Sequence, residues 1–136
     1  MLLKKIALAA GIIFFLMGVL GFVPGLAPDD KLFALFHVNR VHNIFHIVTG
    51  IIAFWVSFES NHAAKVFFEV FGIVYVLLGV LGFGYGDQEI LGVVANNMPD
   101  SWFHLIVGIL GLYLGFGLQH KIMKATVRPK AKTKTK

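Results

Sequence analysis

The chain has 136 residues, room for one ordinary domain, and no cysteine, which excludes disulfides, thiolate metal sites, cysteine nucleophiles and a lipoprotein anchor. Hydrophobic residues make up 57% and charged residues only 14%, against roughly 45–50% and about 25% in a typical soluble domain, so the composition points to lipid. The net charge of +5 is clustered rather than spread: five of the twelve Lys and Arg fall in residues 128–136, and with charge as its only support nucleic-acid binding is set aside.

In chain order, the first predicted element is a span over about 6–26, uncharged from Ile6 to Gly25. A helix needs roughly 20 such residues to cross the hydrocarbon core. Lys4 and Lys5 before it, and the small residues Gly25 and Ala27 after it, resemble a secretory signal. The apolar run is longer than a signal core, Pro28 would follow the cut directly, and the same sequence returns later, so the expectation is a retained span. A second span is predicted over about 40–58, a third over 66–85 and a fourth over 99–119. Residues 1–120 thus form a four-transmembrane-helix domain. The remainder, 121–136, is a basic tail with Pro129, read as a short helical extension and then disorder.

Residues 11–25 and 72–86, an offset of 61, are identical at nine of fifteen positions and share Gly-Val-Leu-Gly-Phe at Gly18 and Gly79. At an offset of 58, Asn39, Phe45, His46, Gly50 and Ile51 match Asn97, Phe103, His104, Gly108 and Ile109. The expected fold is therefore all-α: an integral membrane four-helix bundle built from two tandem parallel helical-hairpin repeats, about 6–58 and 66–119. Ten basic residues, Lys4, Lys5, Lys65 and seven from Lys121 onward, fall on one side, and only Lys31 and Arg40 on the other. The positive-inside rule puts the ten, and both chain ends, in the cytoplasm of a bacterial inner or plasma membrane. Tyr85 and Trp102 suit the outer interface.

Gly11, Gly18, Gly21 and Gly25 share a helical face, as do Gly72, Gly79, Gly82 and Gly86, and Gly108, Gly111 and Gly115 on the fourth span. In lipid, helices associate through close backbone approach at small residues, so these stripes are expected to pack the bundle. Asn39, Asn43, His46 and Gly50 line one face of the second span with His42 beside them. Asn97, Ser101, His104 and Gly108 take the same stations on the fourth, with Asp100 in the place of His42. Asn39 and Asn97 suit N-caps, Pro99 the first turn and Asp100 the positive end of the helix dipole, whereas Arg40 is expected to reach toward water or an acidic loop residue. His46 and His104 lie too deep to cap; an interhelical hydrogen bond is the structural expectation, with Asn43 and Ser101 the nearest partners. As functional candidates, His46 and His104 could hold a haem iron axially, and His42 with His46 a metal ion, although two histidines four apart supply only half of a zinc shell. Lys65 and Glu69 read as an exposed pair one turn apart. His37 and His62 fall in loops and His120 at a helix end, without an assigned role.

The pattern Asn39-x-x-His42-Asn43-x-x-His46-x-x-x-Gly50, with Phe22-x-Pro24-Gly25 before it and residues 72–82 after it, resembles a bacterial membrane family, the domain of unknown function 4383. The likeness covers about residues 6–118. It implies a four-span protein with an Asp-x-x-x-His echo of the motif in the last span, which Asp100 and His104 satisfy, and it implies no activity.

A metalloprotease signature, a nucleotide loop and paired carboxylates within a span are absent from the sequence, and no enzyme is expected. The leading expectation is a small non-enzymatic membrane protein, a scaffold or accessory subunit of a membrane complex or a homo-oligomer, in contact with lipid and needing no cofactor. The alternative is a haem-, quinone- or metal-binding redox protein using the outer-side histidines of spans two and four.

Overall fold

The computed structural model describes residues 2–118. The basic tail and His120 lie outside them. Among the described residues four helices carry the fold: α1 (Leu2–Leu20), α2 (Arg40–Phe58), α3 (Asn61–Tyr85) and α4 (Met98–Leu112), the last continued by a π-helical turn, Tyr113–Gly117. Each is long and apolar enough to cross a membrane, α4 together with its π turn. Large side chains such as Phe54, Trp55, Leu77 and Ile109 stand exposed on their outer faces, the surface that a bundle offers to lipid. The protein is a multi-pass membrane four-helix bundle.

The helix bounds follow local chemistry. Helix α1 stops six residues short of the expected end because Gly21, Pro24 and Gly25 turn the chain, with Gly21 N–H closing the last turn on Met17 O at 3.0 Å. Helix α3 begins five residues earlier than expected, since Ser60 caps it by accepting from Ala63 N–H at 3.0 Å. It ends at Gly86, whose φ of 63° suits a residue without Cβ. At the end of the fourth span, Leu118 N–H reaches back to Tyr113 O, the wider turn that lets Gly115 lie against Glu69.

Helices α1 and α2 pack intimately, as do α3 and α4, because glycines remove the Cβ atoms that would hold the backbones apart. A Cβ on Gly11 would stand 2.7 Å from Phe54 N, one on Gly79 2.7 Å from Leu105 N, and one on Gly18, Gly72 or Gly108 2.5 Å from a facing backbone atom. Gly21 faces the Asn43 side chain, Gly82 the Ser101 and Asn96 side chains, and Gly111 the Phe71 ring and Gly72. Gly25 and Gly86 have nothing within 4 Å, so the two stripes end one glycine earlier than their spacing suggests. The two hairpins meet along α1 and α3, where Ala7, Phe14, Ala64, Phe68, Phe71 and Tyr75 form the apolar core.

Each hairpin closes through a loop that lies over the bundle end. In the first, a short 3-10 turn (Pro28–Asp30) leads into β1 (Lys31–Leu32), which pairs antiparallel with β2 (Phe36–His37); in the second, a single bridge joins Ile90 and Val94. The loops share one conformation at positions 58 residues apart. Phe33 and Leu91 have φ of 54° and 53°, Ala34 and Gly92 of 57° and 69°. Ala34 N–H and Gly92 N–H donate three residues back, to Lys31 O and Glu89 O. Leu32 and Ile90 plug the bundle end beneath them.

Candidate functional site

The polar residues gather on the loop side, between α2 and α4. Asn39 and Asn97 cap these helices, accepting from His42 N–H at 2.8 Å and Asp100 N–H at 3.0 Å. Each cap also crosses to the other hairpin: Asn39 Nδ2 donates to Val93 O at 2.9 Å, and Asn97 Nδ2 to Leu35 O at 2.8 Å. Those acceptors are again 58 residues apart. Asp100 completes a capping box, its Oδ2 accepting from Asn97 N–H at 3.1 Å, and Pro99 occupies the first turn. The same Oδ2 accepts from His37 N–H at 2.9 Å, which ties the first loop to α4.

Beneath the caps three imidazoles converge: His42 and His46, one turn apart on α2, and His104 from α4. All three are buried. One nitrogen of each lies within 4.8 Å of the others, and ring centroids are 4.5, 5.5 and 5.9 Å apart. His42 Nδ1 stands 3.0 Å from His37 O, an acceptor only, so Nδ1 carries the proton and Nε2 presents a lone pair. His42 Nε2 lies 3.2 Å from His46 Nε2, and in that tautomer His46 donates. Both nitrogens of His104 are buried and have no hydrogen-bond partner among the described residues. An unsatisfied buried group of this kind costs about 1–3 kcal/mol, unless something else occupies its lone pair.

An aromatic shell holds the rings. Phe14 meets His46 edge-on at 5.3 Å, Tyr75 stacks along His46 at 6.5 Å and meets His104 edge-on at 5.4 Å, and Phe103 lies 6.0 Å from His104. The Tyr75 hydroxyl donates to Thr49 Oγ1 at 3.2 Å. That pair closes the inner end of a lipid-facing groove of about 670 Å³ between α2 and α3.

The expected ring partners Asn43 and Ser101 turn elsewhere. Asn43 packs against Gly21 with its buried Oδ1 unpartnered, while Ser101 donates to Asn97 O and Asn96 Oδ1. Asn43 faces α1 rather than α4, and Ser101 is captured by Asn96, a residue that the sequence reading missed. Asn96 is fully buried and donates to Gly82 O and Gly86 O, the carbonyls at the end of α3. In the first hairpin Val38 stands in its place, and a polar cleft lined by Asp29, Asp30, Arg40 and Asn43 remains open there. His37, left without a role by its loop position, supplies both the carbonyl that orients His42 and the amide that holds Asp100. Among the remaining residues, Lys65 and Glu69 form an ion pair, Lys4 Nζ donates to the terminal α2 carbonyls of Phe58 and Glu59, and His62 lies at the exposed start of α3.

Comparison with curated proteins and with solved structures gives no match. A family profile does match, covering residues 4–117, and its description is a domain of unknown function (DUF4383). With most of its length inside that profile and four membrane-length helices, the chain belongs to this family of unknown function.

Proposed function

We propose that this protein is a small non-enzymatic membrane protein that holds one transition-metal ion between its two hairpins, with His42, His46 and His104 as ligands. The observation that carries the reading is the convergence of three buried imidazoles whose free nitrogens have no competing partner at His104. Tetrahedral or trigonal bonds of about 2.0–2.1 Å separate ligand nitrogens by about 3.3–3.6 Å. The 3.2 Å between His42 Nε2 and His46 Nε2 is close to that edge. The His37 carbonyl on His42 Nδ1 is the outer contact that fixes a metal-binding tautomer. The pairing of His42 with His46 thus gains a third ligand from α4.

A haem between His46 and His104 does not fit these residues. His42 and Tyr75 press against both rings, so the plane that a macrocycle would occupy is filled by side chains. We read the hairpins as tandem copies, a reading supported by the shared loop conformation and the reciprocal Asn bonds. Scaffold or accessory-subunit roles are compatible with the ion as a clasp. The basic side faces the cytoplasm of a bacterial membrane in this reading.

Metal analysis after reconstitution in mild detergent tests the proposal, using the wild type beside His42→Ala, His46→Ala and His104→Ala. About one tightly held ion per chain is expected in the wild type, and less than a tenth of that in each variant. Equal metal content in wild type and the triple variant would overturn the site.

A further inference from the structure

The ion's charge is the next property that the residues bear on, and the argument rests on the three-histidine reading above. The clustered ligands are neutral imidazoles, and the chain has no cysteine to add a thiolate. The solvation cost of burying an ion rises with the square of its charge, so a divalent ion in this aromatic enclosure costs about four times what a monovalent ion of equal size does. One acidic side chain lies at hand. Asp100, on α4 one turn before His104, is 1% exposed, and its Oδ2 is held by the backbone N–H groups of His37 and Asn97. Among the described residues no Lys or Arg pairs with it. The His37 peptide joins the two parts directly, its N–H on the carboxylate and its C=O on the ligand ring of His42.

We propose that the site takes a monovalent soft cation, cuprous copper, with Asp100 as the single buried counter-charge. Three imidazole nitrogens and one carboxylate make a neutral assembly with Cu(I) and leave a net positive charge with Zn(II) or Cu(II). Coordination number agrees: three imidazole nitrogens complete a trigonal shell around a filled-shell monovalent copper, whereas zinc takes a fourth ligand. The Tyr75 hydroxyl, on a ring packed against His46 and His104, is already committed to Thr49. No electron transfer is required, since the ion is bound and kept as Cu(I). Asp100 acts as a positioning residue through the His37 peptide.

The test is competition under anaerobic, reducing conditions on the full-length protein in detergent, with Cu(I) delivered against bicinchoninate and Zn(II) against a chromogenic zinc chelator. Stoichiometric Cu(I) binding is expected, at least a hundredfold tighter than Zn(II), with an X-ray absorption edge of a three-coordinate all-nitrogen site. Ag(I), also monovalent, is expected to displace Cu(I) from the same site. Asp100→Asn, which keeps the shape of the cap, is expected to weaken Cu(I) about tenfold and Zn(II) by more, because the doubly charged ion loses twice the attraction to the carboxylate. Zn(II) bound more tightly than Cu(I) by the wild type would overturn the charge assignment while leaving the three-histidine site standing. Stoichiometric binding of neither metal would remove both. If Asp100→Asn does not fold, the wild-type ranking of Cu(I), Ag(I) and Zn(II) decides alone.

Discussion

At Asn97 the side-chain oxygen accepts from Asp100 N–H while the amide nitrogen donates to Leu35 O in the other hairpin, so one residue both starts a helix and fastens a neighbour. An N-cap replaced by Ala costs about 1 kcal/mol, and an interhelical bond in a membrane protein averages about 0.6 kcal/mol. Asn97→Ala is therefore expected to lose about 1–2 kcal/mol, measured by thermal or denaturant unfolding in detergent. Asn39→Ala, whose cap makes the mirror contact to Val93 O, is expected to lose a similar amount. A neutral result for both would remove the reciprocal clasp from the account. Caps of this kind are legible in a sequence because the signal is local: Asn followed by Pro and Asp three residues later satisfies donors within one turn. The third imidazole of the cluster is not legible in that way. His42 and His46 share a helix and can be paired by spacing alone, whereas His104 joins them only through the way two hairpins pack. His37 was hidden further still, because its contribution comes from backbone atoms that carry no residue signature.

At the scale of the element, the glycine spacing announced which helix faces meet, since small residues at seven, three and four let apolar helices approach closely in lipid. Where the stripe ends was not announced. Gly25 and Gly86 fit the spacing, but the first lies in the turn after α1 and the second takes a positive φ to stop α3. The contrast gives a test across the two stripes. A Cβ on Gly79 would stand 2.7 Å from a backbone nitrogen of α4, which cannot swing aside as a side chain would, while a Cβ on Gly25 would meet nothing within 4 Å. Gly79→Leu is expected to destabilise the bundle by about 1–3 kcal/mol or more, and Gly25→Ala to stay within about 0.5 kcal/mol of the wild type. The loops were the least legible elements. Phe33, Ala34 and Leu91 adopt positive φ without being glycine, a conformation imposed by the turn and by the buried Leu32 and Ile90 beside them rather than by their own preference.

At the scale of the whole molecule, two kinds of contact hold different parts together. Within a hairpin the backbones touch at glycines, which needs no partner from the other half. Between hairpins the contacts are the aromatic core of α1 and α3 and, continuous with it through Phe14 and Tyr75, the three imidazoles, together with the two Asn crossings and the Asp100 bond to His37. Membrane proteins of this construction can form their hairpins first and join them afterwards, because lipid stabilises each span before the spans meet. It follows that the chain tolerates a cut at the Glu59–Ser60 link between α2 and α3. Residues 1–59 and 60–136, produced together, are expected to copurify from detergent, and metal is expected to strengthen the pair because its ligands come from both pieces. An ion present at a hundred times its dissociation constant adds about 2.7 kcal/mol to the assembled state. His104→Ala in the second piece is expected to abolish that metal-dependent gain while leaving metal-free copurification, which rests on Phe14, Phe68, Phe71 and Tyr75, close to the wild-type level. Copurification that is equally strong with and without metal in the wild-type pair would show that the imidazoles do not clasp the hairpins. Failure of the wild-type halves to copurify under any condition would show that the intact link, rather than the packed interface, holds the bundle together.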